Sequence, residues 1–161
     1  MCQSEKIPSY YIYPAKEEDL SHIYGLEVLL FSRPWREADI RPRLVREDCV
    51  SFVAKEEGRL IGYLLAETIP SLPPQADILS VGVNPLCQNR GIGQALLAAA
   101  EEKLRAMGVG DILLEVRQSN APARRLYEKC GFAVIGCRKG YYDAPVEDGL
   151  IMQKILRKGD E

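Results

Sequence analysis

Residues 78–131 restrict what this chain can fold into more than any other stretch. An apolar run over 76–83 ends at Asn84-Pro85, and a turn with Gly91 and Gly93 follows. Over 91–107, Ile92, Leu96, Ala99, Leu104 and Met107 recur at helical spacing, and Gly108 supplies the stop. A second apolar strand, 111–117, carries Glu115. Asn120 and Pro122 then open a short helix that groups Ala123, Leu126, Tyr127 and Cys130, closed by Gly131. That order sets a turn rich in free N–H groups beside an acid and a phenol on one sheet.

The flanking elements are simpler. A short strand is expected at 10–13, a helix over 16–31 and a second helix over 36–46. The first helix gathers Leu20, Ile23, Tyr24, Leu30 and Phe31 near one face, with Glu27 as the one polar member. Strands are predicted at 50–55 and 59–67, joined at Glu56-Glu57-Gly58. Pro70, Pro73 and Pro74 make the next stretch a loop, because proline cannot continue a ladder. The last strands are expected at 132–138 and 150–156, with a long polar link between them. Nothing divides the chain, so residues 9–156 read as one domain, with loose ends in the first handful of residues and at 157–161.

Composition removes several classes. The 161 residues suffice for one domain with a core. A formal net charge of -2 argues against a nucleic-acid surface. No apolar run reaches the length of a membrane span, and the start MCQSEKIPSYYIYP lacks the apolar core of a signal peptide. The expectation is a cytoplasmic protein without nucleic-acid or membrane partners, a monomer or weak homodimer. Cys2, Cys49, Cys87, Cys130 and Cys137 are odd in number and form no C-x-x-C pair, so they read as reduced, mostly buried thiols with no metal site. His22 is the one histidine and falls in an expected surface helix, which argues against a Cys–His or Ser–His nucleophile.

Gln88, Asn89, Arg90, Gly91, Ile92 and Gly93 lie between a strand and a helix. The first N–H groups of a helix have no internal partner and favour anions. Gly91 and Gly93 let a ligand approach the backbone without a Cβ in the way, and Arg90 adds a positive charge. Such a turn can hold a pyrophosphate. Its spacing fits neither a dinucleotide G-x-G-x-x-G nor a G-x-x-x-x-G-K-[ST] loop, and on the glycines alone it is also a plain strand-to-helix turn.

These residues resemble the Q/R-x-x-G-x-G/A signature of the GNAT acetyltransferases. The similarity continues through Leu114-Glu115-Val116-Arg117, Ser119-Asn120, Leu126-Tyr127-Glu128 and Gly131-Phe132, then Tyr141-Tyr142, Glu147-Asp148 and Met152, all like the second half of RimI-type members, which acetylate the α-amine of a ribosomal protein. It is dense over 78–156 and thinner before that, where Phe31-Ser32-Arg33-Pro34-Trp35 is similar to an F-P-W segment with an insertion. The resemblance implies an α/β fold of GNAT type, a mixed sheet of six or seven strands with helices on both faces. Strands 76–83 and 111–117 would be a splayed parallel pair with acetyl-CoA in the wedge. The pyrophosphate would lie on the N–H groups of residues 88–93, and the pantetheine arm along the backbone of Ser80, Val81, Gly82 and Val83, with a hydrogen bond from Asn120.

Glu115 stands in an otherwise apolar strand, where a carboxylate needs water, a partner or a ligand. It reads as a strand end facing solvent, as an ion pair with Arg117, or as a base. The resemblance selects the base, which takes a proton from an amine directly or through a water. Tyr127 reads as a core aromatic; the resemblance sets it at the thioester sulfur, as cofactor contact and proton donor to the CoA thiolate. It also implies that Tyr141 and Tyr142 clamp the first peptide units of a protein or peptide N-terminus, that Glu147 orients that loop or attracts the ammonium, and that Phe31 and Trp35 form the opposite wall. The chain departs from the pattern in a short loop at 142–147, in Gly149 where alanine is usual, and in Arg33. Two other readings remain: acetylation of a small amine, and a CoA-binding sensor without catalysis. The sensor would not need Glu115 and Tyr127.

Overall fold

The computed structural model describes residues 9–156; Cys2 and the expected loose ends at either terminus lie outside the described residues. Seven strands, β1 (Tyr11–Pro14), β2 (Cys49–Glu56), β3 (Arg59–Ile69), β4 (Gln75–Val83), β5 (Asp111–Arg117), β6 (Ala133–Tyr142) and β7 (Glu147–Ile155), make one sheet in the order β1-β2-β3-β4-β5-β7-β6. Helices α1 (Leu20–Leu30) and α2 (Glu37–Val45) cover one face, while α3 (Ile92–Ala106) and α4 (Ala121–Lys129) cover the other. The β2–β3 turn works because Glu57 (φ 49) and Gly58 (φ 78) both adopt the left-handed conformation that matches strand twist in a two-residue hairpin.

Two apolar layers follow from strand alternation. Ile112, Leu114 and Val116 of β5 face α3 and pack with Leu96, Ala100 and Leu104. Opposite them, Ile23, Leu26 and Ile40 pack on Val53, Tyr63 and Leu65. Leu113, Glu115 and Arg117 therefore point to the α1–α2 face, away from the α3 core.

The sheet opens at its centre. The parallel ladder between β4 and β5 holds only Gln75↔Asp111, Ala76↔Ile112 and Asp77↔Leu113. Beyond it, β4 stays with β3 up to Gly62↔Val83, and β5 stays with β7 up to Arg117↔Gly149. The β3–β4 register passes from Ala66↔Ile78 to Leu65↔Ser80, so Leu79 is an extra residue, and such a bulge bends the strand that carries it. A wedge results, with free backbone groups along the edge of β4.

Three expectations are corrected. The helix over 16–31 is a 3-10 turn, Glu17–Asp19, followed by α1; the Asp19 carboxylate accepts from the Lys16 N–H at 2.8 Å and turns the chain there. The last two strands are longer than predicted, and the long polar link shrinks to residues 143–146. Its polar residues are strand residues because β6 is an edge strand, mostly exposed, held through its backbone to β7. The cysteines are not mostly buried: Cys49, Cys87 and Cys130 are half-buried and Cys137 is exposed, all as free thiols. Among the described residues no cluster of side chains suits a metal, and no helix is long and apolar enough to cross a membrane.

Candidate active site

The turn before α3 is built to leave its N–H groups open. Asn84 accepts from the Leu86 N–H and starts a short 3-10 turn, Pro85–Cys87. Asn89 (φ 63) and Gly91 (φ 76) then take left-handed conformations. No acceptor among the described residues takes the N–H groups of Gln88, Asn89, Arg90, Gly91, Ile92 or Gly93. Successive free N–H groups at a helix start form an anion site. Gly93 serves a second need, since a Cβ there would lie 2.9 Å from Leu126 Cδ2; the glycine lets α3 and α4 meet. The Arg90 guanidinium is not directed over the turn. It pairs with Glu56, donates to Ser9 and lies 5.7 Å from the Tyr10 ring, so only its N–H joins the cradle.

Two cavities follow the wedge. The larger, about 840 Å³, runs from Leu79, Ser80 and Val81 across to Asn120, Ala123 and Tyr127. The smaller, about 490 Å³, lies over Asp77, Leu113 and Ile151. They share Trp35, Glu115, Tyr141 and Tyr142, so Glu115 stands where they join. Gly82 and Val83 continue the free edge of β4 beyond the lining. Asn120 uses its side-chain oxygen to cap α4 at Ala123 (3.2 Å), which leaves its amide hydrogens for the cavity.

Glu115 pairs with Arg138 of β6, Nε to Oε1 3.1 Å, rather than with Arg117. It is part-exposed, so the ion pair and the cavity together meet the need of a carboxylate in this strand. Tyr127 is buried, yet its phenol reaches the larger cavity and hydrogen-bonds no described residue. Burial, with smaller effects from Tyr142 and Cys130, pushes that phenol up to about 12. It therefore remains an O–H donor through neutral pH. Asp77, in the floor of the smaller cavity, is pushed up by burial and by the nearby carboxylates of Glu67, Glu115 and Asp111, an environment that favours a cation.

Tyr141 and Tyr142 meet edge to face at 5.0 Å and line both cavities. The backbone makes room for them at Gly149, where a Cβ would come within 3.1 Å of the Tyr142 ring and 3.2 Å of the Tyr141 ring. Glu147 lines neither cavity. It accepts from Ser119 Oγ (3.0 Å), Ser119 N (3.2 Å) and Arg117 Nη1 (3.1 Å), and Ser119 and Arg117 hold its carboxyl below the usual range. Arg117 also donates to the carbonyls of Asp143 and Pro145 and lies 4.5 Å from the Tyr142 ring. Arg117 and Glu147 thus shape the loop after β6. Phe31 lines the larger cavity, and Trp35 lines both.

Glu27, the one polar member of the first helix's apolar face, has no role in the expectations from sequence. This carboxylate of α1 is 1% exposed. It accepts from Tyr63 OH (2.7 Å), the Trp35 N–H (3.0 Å) and Ser80 Oγ, and it borders the larger cavity. Glu27 thereby ties Trp35 to β4 at Ser80. Its place on an apolar helix face was the available signal. Glu27→Ala would strand these donors, and an unmatched buried donor costs about 1–3 kcal/mol. The expected result is a loss of roughly 3 kcal/mol, or about 6–12 °C in Tm by calorimetry, with Glu27→Gln about half as damaging.

The cradle, the free strand edge and the acid–phenol pair match one family of enzymes. The acetyltransferase (GNAT) family model matches residues 14–132, and the chain belongs to that family. It is an acetyl-CoA-dependent N-acetyltransferase. It is 32% identical over 136 residues, 84% of this chain and 88% of the other, to a putative [ribosomal protein bS18]-alanine N-acetyltransferase of Bacillus subtilis (strain 168). It is 28% identical over 164 residues, 96% of this chain and 98% of the other, to an N-alpha-acetyltransferase of Sulfurisphaera tokodaii. Among solved structures, the ribosomal-protein-S18-alanine N-acetyltransferase of Escherichia coli superposes with a TM-score of 0.82 at 30% identity, covering 94% of this chain and 97% of that one.

Proposed function

We propose that this enzyme acetylates the N-terminal α-amine of a protein or peptide, with Glu115 as proton acceptor and Tyr127 as proton donor. The observation that carries the reading is the junction at Glu115. One cavity reaches it along the free edge of β4, and a second leaves it past Tyr141 over Asp77. A passage with two arms suits a cofactor arm and a chain of residues better than a small amine. The names of the B. subtilis and S. tokodaii relatives support the same substrate class, with a ribosomal protein as one candidate.

Acetyl-CoA supplies the activated acetyl group. The N–H groups of residues 88–93 are suited to its pyrophosphate, and the stretch Ser80, Val81, Gly82 and Val83, where the groups of Val81 and Val83 face away from β3, to its pantetheine amides, with Asn120 opposite. An α-ammonium, with a reference pKa of about 8, must lose a proton before its nitrogen attacks. Glu115 takes that proton, and the buried Tyr127 O–H gives one to the departing sulfur. A free N–H near Val83 polarises the acetyl carbonyl. Tyr141 and Tyr142 hold the first peptide units against Trp35 and Phe31, and Glu147 keeps the loop in place through Ser119 and Arg117.

Thiol release from acetyl-CoA tests this, with unblocked peptides, their N-terminally blocked twins and a set of small amines. Release with free N-termini alone is expected. Release with small amines alone would replace the reading by a small-amine acetyltransferase.

A further inference from the structure

A cation of the protein itself already occupies the group that the acceptor amine needs. Arg138 Nε holds Glu115 Oε1 at 3.1 Å, and no other cation among the described residues pairs with that carboxylate. Arg138 lines the smaller cavity and not the larger, so it reaches Glu115 from the acceptor arm. Its guanidinium lies 5.4 Å from the Tyr141 ring, within the region proposed to hold the first peptide units.

We propose that Arg138 is a built-in competitor of the acceptor ammonium, holding Glu115 until the amine arrives and withdrawing as it binds. The inference rests on reading Glu115 as the proton acceptor. A base has to come within hydrogen-bonding distance of the proton it removes. Arg138 holds Oε1 alone, and an ammonium arriving at the same carboxylate meets the charge of Arg138, which favours release of the weaker-held cation. Arg138 is the one free to move. Its side chain is 56% exposed against 29% for Glu115. It belongs to β6, which has no outer neighbour among the described residues. The β6–β7 register is irregular from Arg138↔Gly149 to Tyr142↔Glu147. An ion pair of this exposure is weak, worth up to about fivefold in an equilibrium. The competition thus raises the acceptor concentration the enzyme needs without closing the site.

Steady-state kinetics on the full chain test this, with an unblocked peptide that the wild type acetylates. Arg138→Gln should lower the acceptor KM by about three- to fivefold, with a smaller change in kcat and the acetyl-CoA KM at its wild-type value. Arg138→Lys keeps the charge and should hold the acceptor KM near wild type. A residue that only supports the fold or assists binding would give the opposite sign. An acceptor KM unchanged or raised in Arg138→Gln, while Glu115→Gln is inactive, overturns the competitor and leaves the base in place. Full turnover in Glu115→Gln overturns both.

Discussion

Glu115→Gln is expected to lower kcat by about a hundred- to ten-thousandfold while leaving the affinity for acetyl-CoA unchanged. Glutamine keeps the shape and can still accept from Arg138, but it takes no proton at neutral pH. Glu115 points away from the α3 core and belongs to neither apolar layer, so the change should not unfold the protein. Binding by calorimetry and turnover by thiol release separate the two effects. Turnover within threefold of wild type would remove Glu115 from the mechanism. Neutralising Glu115 also weakens its hold on Arg138, so a modest change in acceptor KM should accompany the loss of kcat.

Tyr127→Phe is expected to cost about a hundredfold or more in kcat, with little loss of stability. The phenol oxygen hydrogen-bonds no described residue, so its removal strands no donor or acceptor. The ring remains to pack on Phe132, whose centroid lies 6.0 Å away. The pH dependence gives a second reading. Burial moves this group from its ordinary value of 10.0 up to about 12. The donor form exists below that value, so an alkaline loss of kcat due to Tyr127 should fall near pH 12 and not near 10. A wild-type kcat in Tyr127→Phe would assign proton delivery to water.

Much of this was legible from local pattern. The order of elements from β4 to α4 followed from apolar spacing, from Asn120 and Pro122 at a helix start, and from Gly108 and Gly131 at helix ends. These signals are local because capping and periodicity act within a few residues. The cradle was legible for the same reason: helix-start N–H groups are free wherever no side chain caps them. The polar half of β6 was missed because an edge strand needs no apolar face.

Local residues therefore determined, without help from the fold, most of the strand and helix positions from β4 to α4 and the place of the open turn before α3. Only the tertiary structure decided the partners of the charges. Arg117 is two residues from Glu115 yet binds Glu147, and Arg138 reaches Glu115 from across the sheet. Arg90 turns to Glu56 on the β2–β3 hairpin, and Glu27 is buried against Tyr63 and Ser80. The physical reason is range. Side-chain charges pair across a few ångströms of space, and which residues share that space depends on strand order, on the bulge at Leu79 and on the splay of β4 from β5.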